Sequence, residues 1–405
     1  MTYINKFSYA DGPALDAFGR LRVGSPYTLF ESKLLGLTDA PLLWHEILES
    51  GAGITASTPT AAQPFIDFTS TLNTAGVFTR QTRRRFRYLA GKSQLVTITG
   101  VLDLSGGGTG VVRRIGYFDD DNGLFFEDNA GTIRVVVRTN NTGSPVDSAT
   151  AQSSWNIDPF DGTGPSGVTV DWSQSQIFLI DFQWLAVGRV RFGLVIGGAL
   201  YYAHEFSHTN SSSIPYMSTP NLPVRYQMVT TSSSPASTMR CICSSVVSEG
   251  GAEPIQSRFS GYTATHVDAD SVGTTYAVVG IRLKSTHLGT TIDPATISLL
   301  STTNDNYIWS LRVNPTVAGT FTYSSVSSDS SAEIAYGATA NTVTSGHVID
   351  SGFGAGSLVE RVAGAEFVEK LGSLIDGTPD ELVLCTEPLS INMDVYGKIS
   401  WLEGN

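Results

Sequence analysis

Charge is scarce in this 405-residue sequence: Asp, Glu, Lys and Arg together make up 15% of it, against roughly 25% in ordinary soluble domains. Long Ala/Glu/Lys/Leu stretches at helical spacing are nearly absent, which argues against a helical architecture. No apolar run reaches the roughly 18 residues of a membrane span. The opening MTYINKFSYADG has no apolar h-region, so no secretory signal is predicted. Cysteine is confined to Cys241, Cys243 and Cys385. Cys241 and Cys243, two apart, would share one strand face, a poor metal clip and an unfavourable disulfide; buried free thiols are expected. Basic residues are outnumbered, and the formal net charge of −12 opposes nucleic-acid binding, which needs a basic face.

What the sequence does hold is glycine, 41 residues of it, with Ser and Thr dominating many segments. That composition favours short strands joined by tight turns and predicts an all-β protein. The length favours two domains. Residues 1–35 lack a clear period and read as an extended N-terminal docking arm. Its apolar and basic side chains, Phe18, Arg20, Arg22, Tyr27 and Phe30, are candidate contacts with another subunit. Strand signals then run through RRIGYF, LFFED and TIRVVVR, which form a meander over 113–138, followed by a long loop over about 139–176. The stretch SEGGAEPIQ (248–256) is the domain boundary. The expected units are a first sandwich over 36–248 and a second over 257–405, whose strands are short and nearly regularly spaced. Residues 40–51 read as a short helix or a strand. One helix is expected in the second unit, over 364–377, where Phe367, Leu371 and Leu374 have helical spacing.

The string His204-Glu205-Phe206-Ser207-His208 matches H-E-x-x-H, a zinc-hydrolase signature when it lies on a helix, because i and i+4 then share a face. Here RVRFGLVI and ALYYAHEF flank Gly197-Gly198, a hairpin signal, since both glycines can take positive φ. In a strand the two imidazoles would be about 13 Å apart, too far to share a zinc. No metal ligand and no cofactor are assigned, and no enzymatic activity is expected.

Other candidates are weaker. DDDNG (119–123) fits a hairpin turn, because an EF-hand alignment puts Phe118 at the first ligand position. AGKS (90–93) lacks the P-loop's first glycine, a position held by Phe86. RRRFR (83–87) would set Arg83, Arg85 and Arg87 on one strand face. That face is either solvated or carboxylate-paired, or it is an intersubunit contact. Trp155, Asp158, Asp161 and Trp172, with Asp171 beside them, are candidate glycan contacts, since indoles stack on sugars. Paired carboxylates also suit glycoside cleavage, but aspartates in a Gly/Pro-rich loop are more often turn formers.

In order along the chain, DAFGRLRVGSPYTLF, YLAGKSQ, GYFDDDNGLFFE, WLAVGRVRFGLVIGG, HEFSHTN and YMSTPNLPVRYQ resemble a group of tailed-bacteriophage virion-associated structural proteins. The likeness covers about residues 10–245 and is specific as a set. At Ala186 and at Gly198-Ala199 the chain departs from the glycine and charged turn pair common in the group, which touches only the hairpin tip. The resemblance implies a concanavalin-like jelly roll for the first unit and a virion location, with no catalytic residues to carry over. It implies a non-enzymatic structural component, first of all of the tail apparatus, in fibre attachment or at the baseplate periphery. A capsid decoration or cement protein is the alternative, and a glycan-binding receptor-recognition module another. The expected partners are other virion proteins and copies of the chain itself, a trimer or ring being compatible with the default symmetry of such parts. A host surface glycan is a further candidate partner; nucleic acid and membrane are not expected.

Overall fold

The computed structural model describes residues 24–35, 42–251, 256–303, 305–337, 341–355, 359–362, 370–390 and 392–404. Among them the chain is all-β, with two 3-10 turns, Gln152–Ser154 and Ser285–His287, and no α-helix.

The first unit is a jelly-roll sandwich of the concanavalin-like kind, two antiparallel sheets closed over one core. One sheet runs Ala199–Ser207, Arg189–Ile196, Gln176–Phe182, Gln94–Ser105, Thr238–Ser248, Ile66–Ser70 and Ile54–Ala56. The free edge of Thr238–Ser248 is shared: Ile66–Ser70 takes residues 238–241 and Tyr27–Ser32 takes 244–248. The other sheet runs Val146–Ala151, Thr132–Thr139, Gly123–Asn129, Val111–Phe118, Val224–Thr230, Gly76–Thr82 and Trp44–Gly51. Period-2 alternation puts Val96, Ile98, Ile115, Tyr117, Phe126, Phe178, Ile180 and Phe192 in the space between them.

The second unit repeats the plan with fewer strands. Ser257–Tyr262, Met393–Gly404, Thr291–Ser301 and Val359–Val362 form one sheet, with Val267–Ala269 also on Met393–Gly404. The facing sheet runs Ser324–Ser325, Ala332–Tyr336, Tyr276–Leu283, Glu381–Pro388, Tyr307–Val313 and His347–Gly354. Val279, Ile281, Leu299, Leu311, Leu384, Val395 and Trp401 fill its interior.

Several expectations change. Residues 27–32 are a strand of the first sandwich and Phe30 lies in its core, so the arm cannot extend to residue 35. Residues 1–23, which include Phe18, Arg20 and Arg22, lie outside the described residues. Residues 44–51 are a strand. The loop expected over 139–176 contains the edge strand Val146–Ala151, because its Thr/Ser/Ala alternation pairs with Arg134–Thr139. The described part of the expected helix, residues 370–377, is extended and turned instead. Leu371 bridges Ile292 and Ser373 bridges Pro379, so tertiary pairing overrides the apolar spacing; Phe367 lies outside the described residues. A bulge between Cys241 and Ser244 breaks the alternation, leaving Cys241 buried and Cys243 only half-buried. Burial pushes the Cys241 thiol well up, and Cys385 to about 12, so neither is a ready nucleophile.

Candidate functional site

A dense polar arrangement lies where the two sandwiches meet, and RRRFR is its centre. These residues follow the strand Gly76–Thr82 but form no strand themselves; only Phe86 bridges, to Leu222. The chain bends at Arg83 and Arg84, and alternate burial resumes from Phe86. Phe86 and Tyr88 turn into the first core, while Arg83 and Arg85 reach the second unit. Arg83 Nη1 donates to Asp380 Oδ1 at 2.5 Å, and Arg85 Nη1 donates to Ser373 Oγ at 3.2 Å. Asp380 also accepts from Asn314 Nδ2 (2.8 Å) and Gly372 N (3.3 Å). The backbones are in contact as well: Ser373 N donates to the Arg83 carbonyl at 2.9 Å. A Cβ on Gly372 would sit 2.3 Å from that carbonyl oxygen, so only glycine permits the approach. Burial lowers the pKa of Arg87, and Asp293 across the junction offsets part of that. Ile375 N donates to His45 Nδ1, and Asn221 Nδ2 to the Gly289 carbonyl.

Behind this contact, segments far apart in sequence lock together. Tyr117 is buried, and its hydroxyl lies within hydrogen-bond distance of the Phe86 and Pro220 carbonyls, Gln94 Nε2 and Leu222 N. Burial is the main reason its pKa is raised. The Asp119 carboxylate accepts from the amides of Asp121 and Asn122 and pairs with Arg85 at 3.3 Å. Asn122 Oδ1 accepts from Ser218 N and Oγ. Asn221 Oδ1 accepts from Tyr88 N, and Arg225 pairs with Asp120 and Gln81. DDDNG is therefore a hairpin turn whose carboxylates are all engaged, Asp121 by Asn140. The turn, YLAGKSQ and YMSTPNLPVRYQ form one structural unit.

The remaining candidates fall elsewhere. Tyr27 is exposed on the edge strand. Trp155 is buried edge-to-face against Trp172 and donates to the Thr150 carbonyl; Trp172 is half-buried, stacks on Phe178 and donates to Gln152 Oε1. Asp158 is buried as well. Burial would raise its pKa, but the amides of Ser166 and Phe160 outweigh this and hold it low. Trp155 and Asp158 thus offer no face to a sugar, because both are spent on folding their own loop. Asp161 and Asp171 are exposed turn formers, held low first by the hydroxyls of Thr163 and Ser173.

H-E-x-x-H lies on the strand Ala199–Ser207 and just beyond it. The strand pairs with Arg189–Ile196 through a turn with Gly197 at φ 60° and Gly198 at φ 83°. The imidazoles are engaged separately. His204 Nδ1 accepts from Asn156 N, whereas His208 Nδ1 donates to the Gly188 carbonyl and its ring stacks on Tyr216. Burial lowers the pKa of His204, with Glu205 opposing.

The partners Asp380, Ser373, His45 and Asn221 carried no local signal, since each is defined by what lies across the junction. The nearest clue was the dense arginine run in an acidic chain.

No family model and no curated protein match the sequence. Among solved structures, an endo-1,3-beta-glucanase from Streptomyces sioyaensis is similar at 11% identity and TM-score 0.39, over 56% of this chain and 97% of that one. The legume lectin-like domain from Entamoeba histolytica is similar at 10% identity and TM-score 0.30, over 52% and 91%. The CBM2 module of the evolved Dit of Lactobacillus casei BL23 phage J-1 is similar at 9% identity and TM-score 0.34, over 57% and 100%. The likeness is one of fold.

Proposed function

We propose that this chain is a non-enzymatic structural component of a tailed-bacteriophage particle, most specifically of the tail apparatus, in fibre attachment or at the baseplate periphery. One observation carries the reading. Three of the segments that resemble virion proteins, YLAGKSQ, GYFDDDNGLFFE and YMSTPNLPVRYQ, converge behind the junction, where Asp119 holds Arg85, which reaches Ser373, and Asn221 reaches the Gly289 carbonyl of the second sandwich. Residues spent in this way serve architecture. The segment before Tyr27 supplies the docking arm, with Phe18, Arg20 and Arg22 contacting neighbouring copies or other virion proteins in a trimer or ring.

The test is copy number and position in purified particles. Small multiples of three or six at the tail support the proposal; copies in the hundreds, following capsid symmetry, replace it with capsid decoration; absence from particles overturns both. Deleting residues 1–23 tests the arm, since the truncated protein is expected to fold but not to join particles or oligomers. Normal assembly of that variant would rule the arm out.

A glycan-binding reading has one observation in its favour. A cleft of about 400 Å³ in the second sandwich is lined by Arg282, Phe321, Thr322, Tyr323 and Glu381, combining aromatic rings with charged hydrogen-bonding groups. Glycan-array binding abolished by Tyr323→Ala would support it.

A further inference from the structure

Val267–Ala269, a strand of three residues, pairs with the start of Met393–Gly404 in a register that sets Asp268 directly opposite Asp394. Like charges directly opposite each other across a strand pair are destabilising. The group between them is an imidazole: His266 Nε2 lies 3.2 Å from Asp268 Oδ1 and 3.9 Å from Asp394 Oδ1. Tyr396, on the same strand face as Asp394, meets the ring edge-on at 6.0 Å between centroids. Among the described residues, no lysine or arginine is within ion-pair reach of either carboxylate.

We propose that His266, Asp268 and Asp394 form a binding site for a divalent transition-metal ion of the zinc class. One ligand atom from each residue lies within 4.8 Å of the other two. A tetrahedral ion with bonds of 2.0–2.2 Å sets its ligands about 3.4 Å apart. The separations of 3.2 and 3.9 Å bracket that value. The imidazole selects the class, because calcium and magnesium favour all-oxygen shells of six or more ligands. All three side chains are half-buried, with relative exposures of 45%, 45% and 36%. An ion and a completing water therefore have access. The bound ion replaces the repulsion across the strands with shared ligation and pins the three-residue strand to its long neighbour. In the sequence, His266-x-Asp268 is an unremarkable triplet until the sheet brings Asp394 beside it.

The experiment is equilibrium dialysis of the tag-free full chain against zinc, with calcium and magnesium as competitors. Wild type and His208→Ala are expected to take up one saturable zinc per chain that excess calcium or magnesium does not displace. His266→Ala and Asp394→Asn are expected to lose at least tenfold in zinc affinity while keeping the metal-free circular dichroism spectrum. Should either variant fail to fold, Asp268→Asn gives the same readout from the facing strand. No saturable zinc in wild type, zinc retained in the variants, or displacement by calcium overturns the proposal. None of these outcomes depends on where in a particle the protein resides.

Discussion

The two sandwiches solve the same problem, an ionised group inside a β core, in opposite ways. The first uses counter-charge. Arg113 and Asp128 are both fully buried and paired at 2.6 Å, and the guanidinium also reaches Asp103 and the carbonyls of Ser105 and Thr238. Arg80 pairs with Glu46 over the face of Trp44. Through its middle runs a chain of rings, from Phe30 to Phe86 to Tyr117 to Phe182. The second sandwich, packed mainly with Val, Leu and Ile, buries Glu403 among neutral donors: the hydroxyls of Ser330 and Ser331, the Ser331 amide and the Trp401 indole. A counter-charged group leaves a stranded charge when its partner is removed, whereas a neutrally solvated one responds chiefly to pH.

The sharpest way to break this contrast is Asp128→Ala, which removes the fully buried carboxylate beside Arg113 and leaves it the partly exposed Asp103 as its remaining counter-charge. It is expected to destabilise the first sandwich by about 3 kcal/mol, the lower end of the cost of removing one partner from a buried ion pair. Denaturant unfolding followed by probes in each unit checks it, and the second unit's transition should barely move.

Asp380→Ala cuts the tie between the units. Losing the partner of Arg83, Asn314 and the Gly372 amide is expected to cost about 2–3 kcal/mol. Calorimetry should then resolve two transitions further apart than in the wild type. Unchanged spacing would mean the junction does not couple the sandwiches.

Gly198→Val probes the first sandwich where no packing is involved, since a Cβ there would meet nothing within 4 Å. The whole effect must come from holding a β-branched residue at φ 83°, expected to be about 1–3 kcal/mol. Thermal melting checks it, and Gly198→Asn should lose much less.

The smallest effect is expected at Glu403. Burial alone would raise its pKa, but the surrounding donors outweigh that and hold it below the ordinary value. Its contribution is therefore fully present above the unfolded-state value of about 4.3. It is lost as pH falls through the lower folded value. Glu403→Gln should cost about 1 kcal/mol at neutral pH and flatten the acid limb of the second unit's stability, measured by unfolding between about pH 2 and 6.

Much of the fold was legible because period-2 alternation and turn chemistry are local. The Gly197-Gly198 hairpin and the meander over 113–138 each depend on neighbours in the chain. The same locality removed the helical zinc site, since a hairpin strand runs through His204 and spreads the two histidines along its length. Local pattern did not fix the outcome where a distant partner decides it. Phe30 belongs to a core because Tyr27–Ser32 finds the free edge of Thr238–Ser248. Leu371 leaves its helical spacing to bridge Ile292, and Trp155 turns inward because Trp172 and Phe160 enclose it.

The arginines mark the dividing line. That Phe86 and Tyr88 turn into the core while arginines of the run face away from it followed from the sequence, although the chain bends at Arg83 and Arg84. That this face meets Asp380 and Ser373 of the same chain is a tertiary fact, as is the meeting of His266 with Asp394. Sequence by itself determined what each segment could become, through the periods and turns its own residues permit. Only the packed structure decided which charges face one another, because electrostatic pairing depends on distance in space and not along the chain.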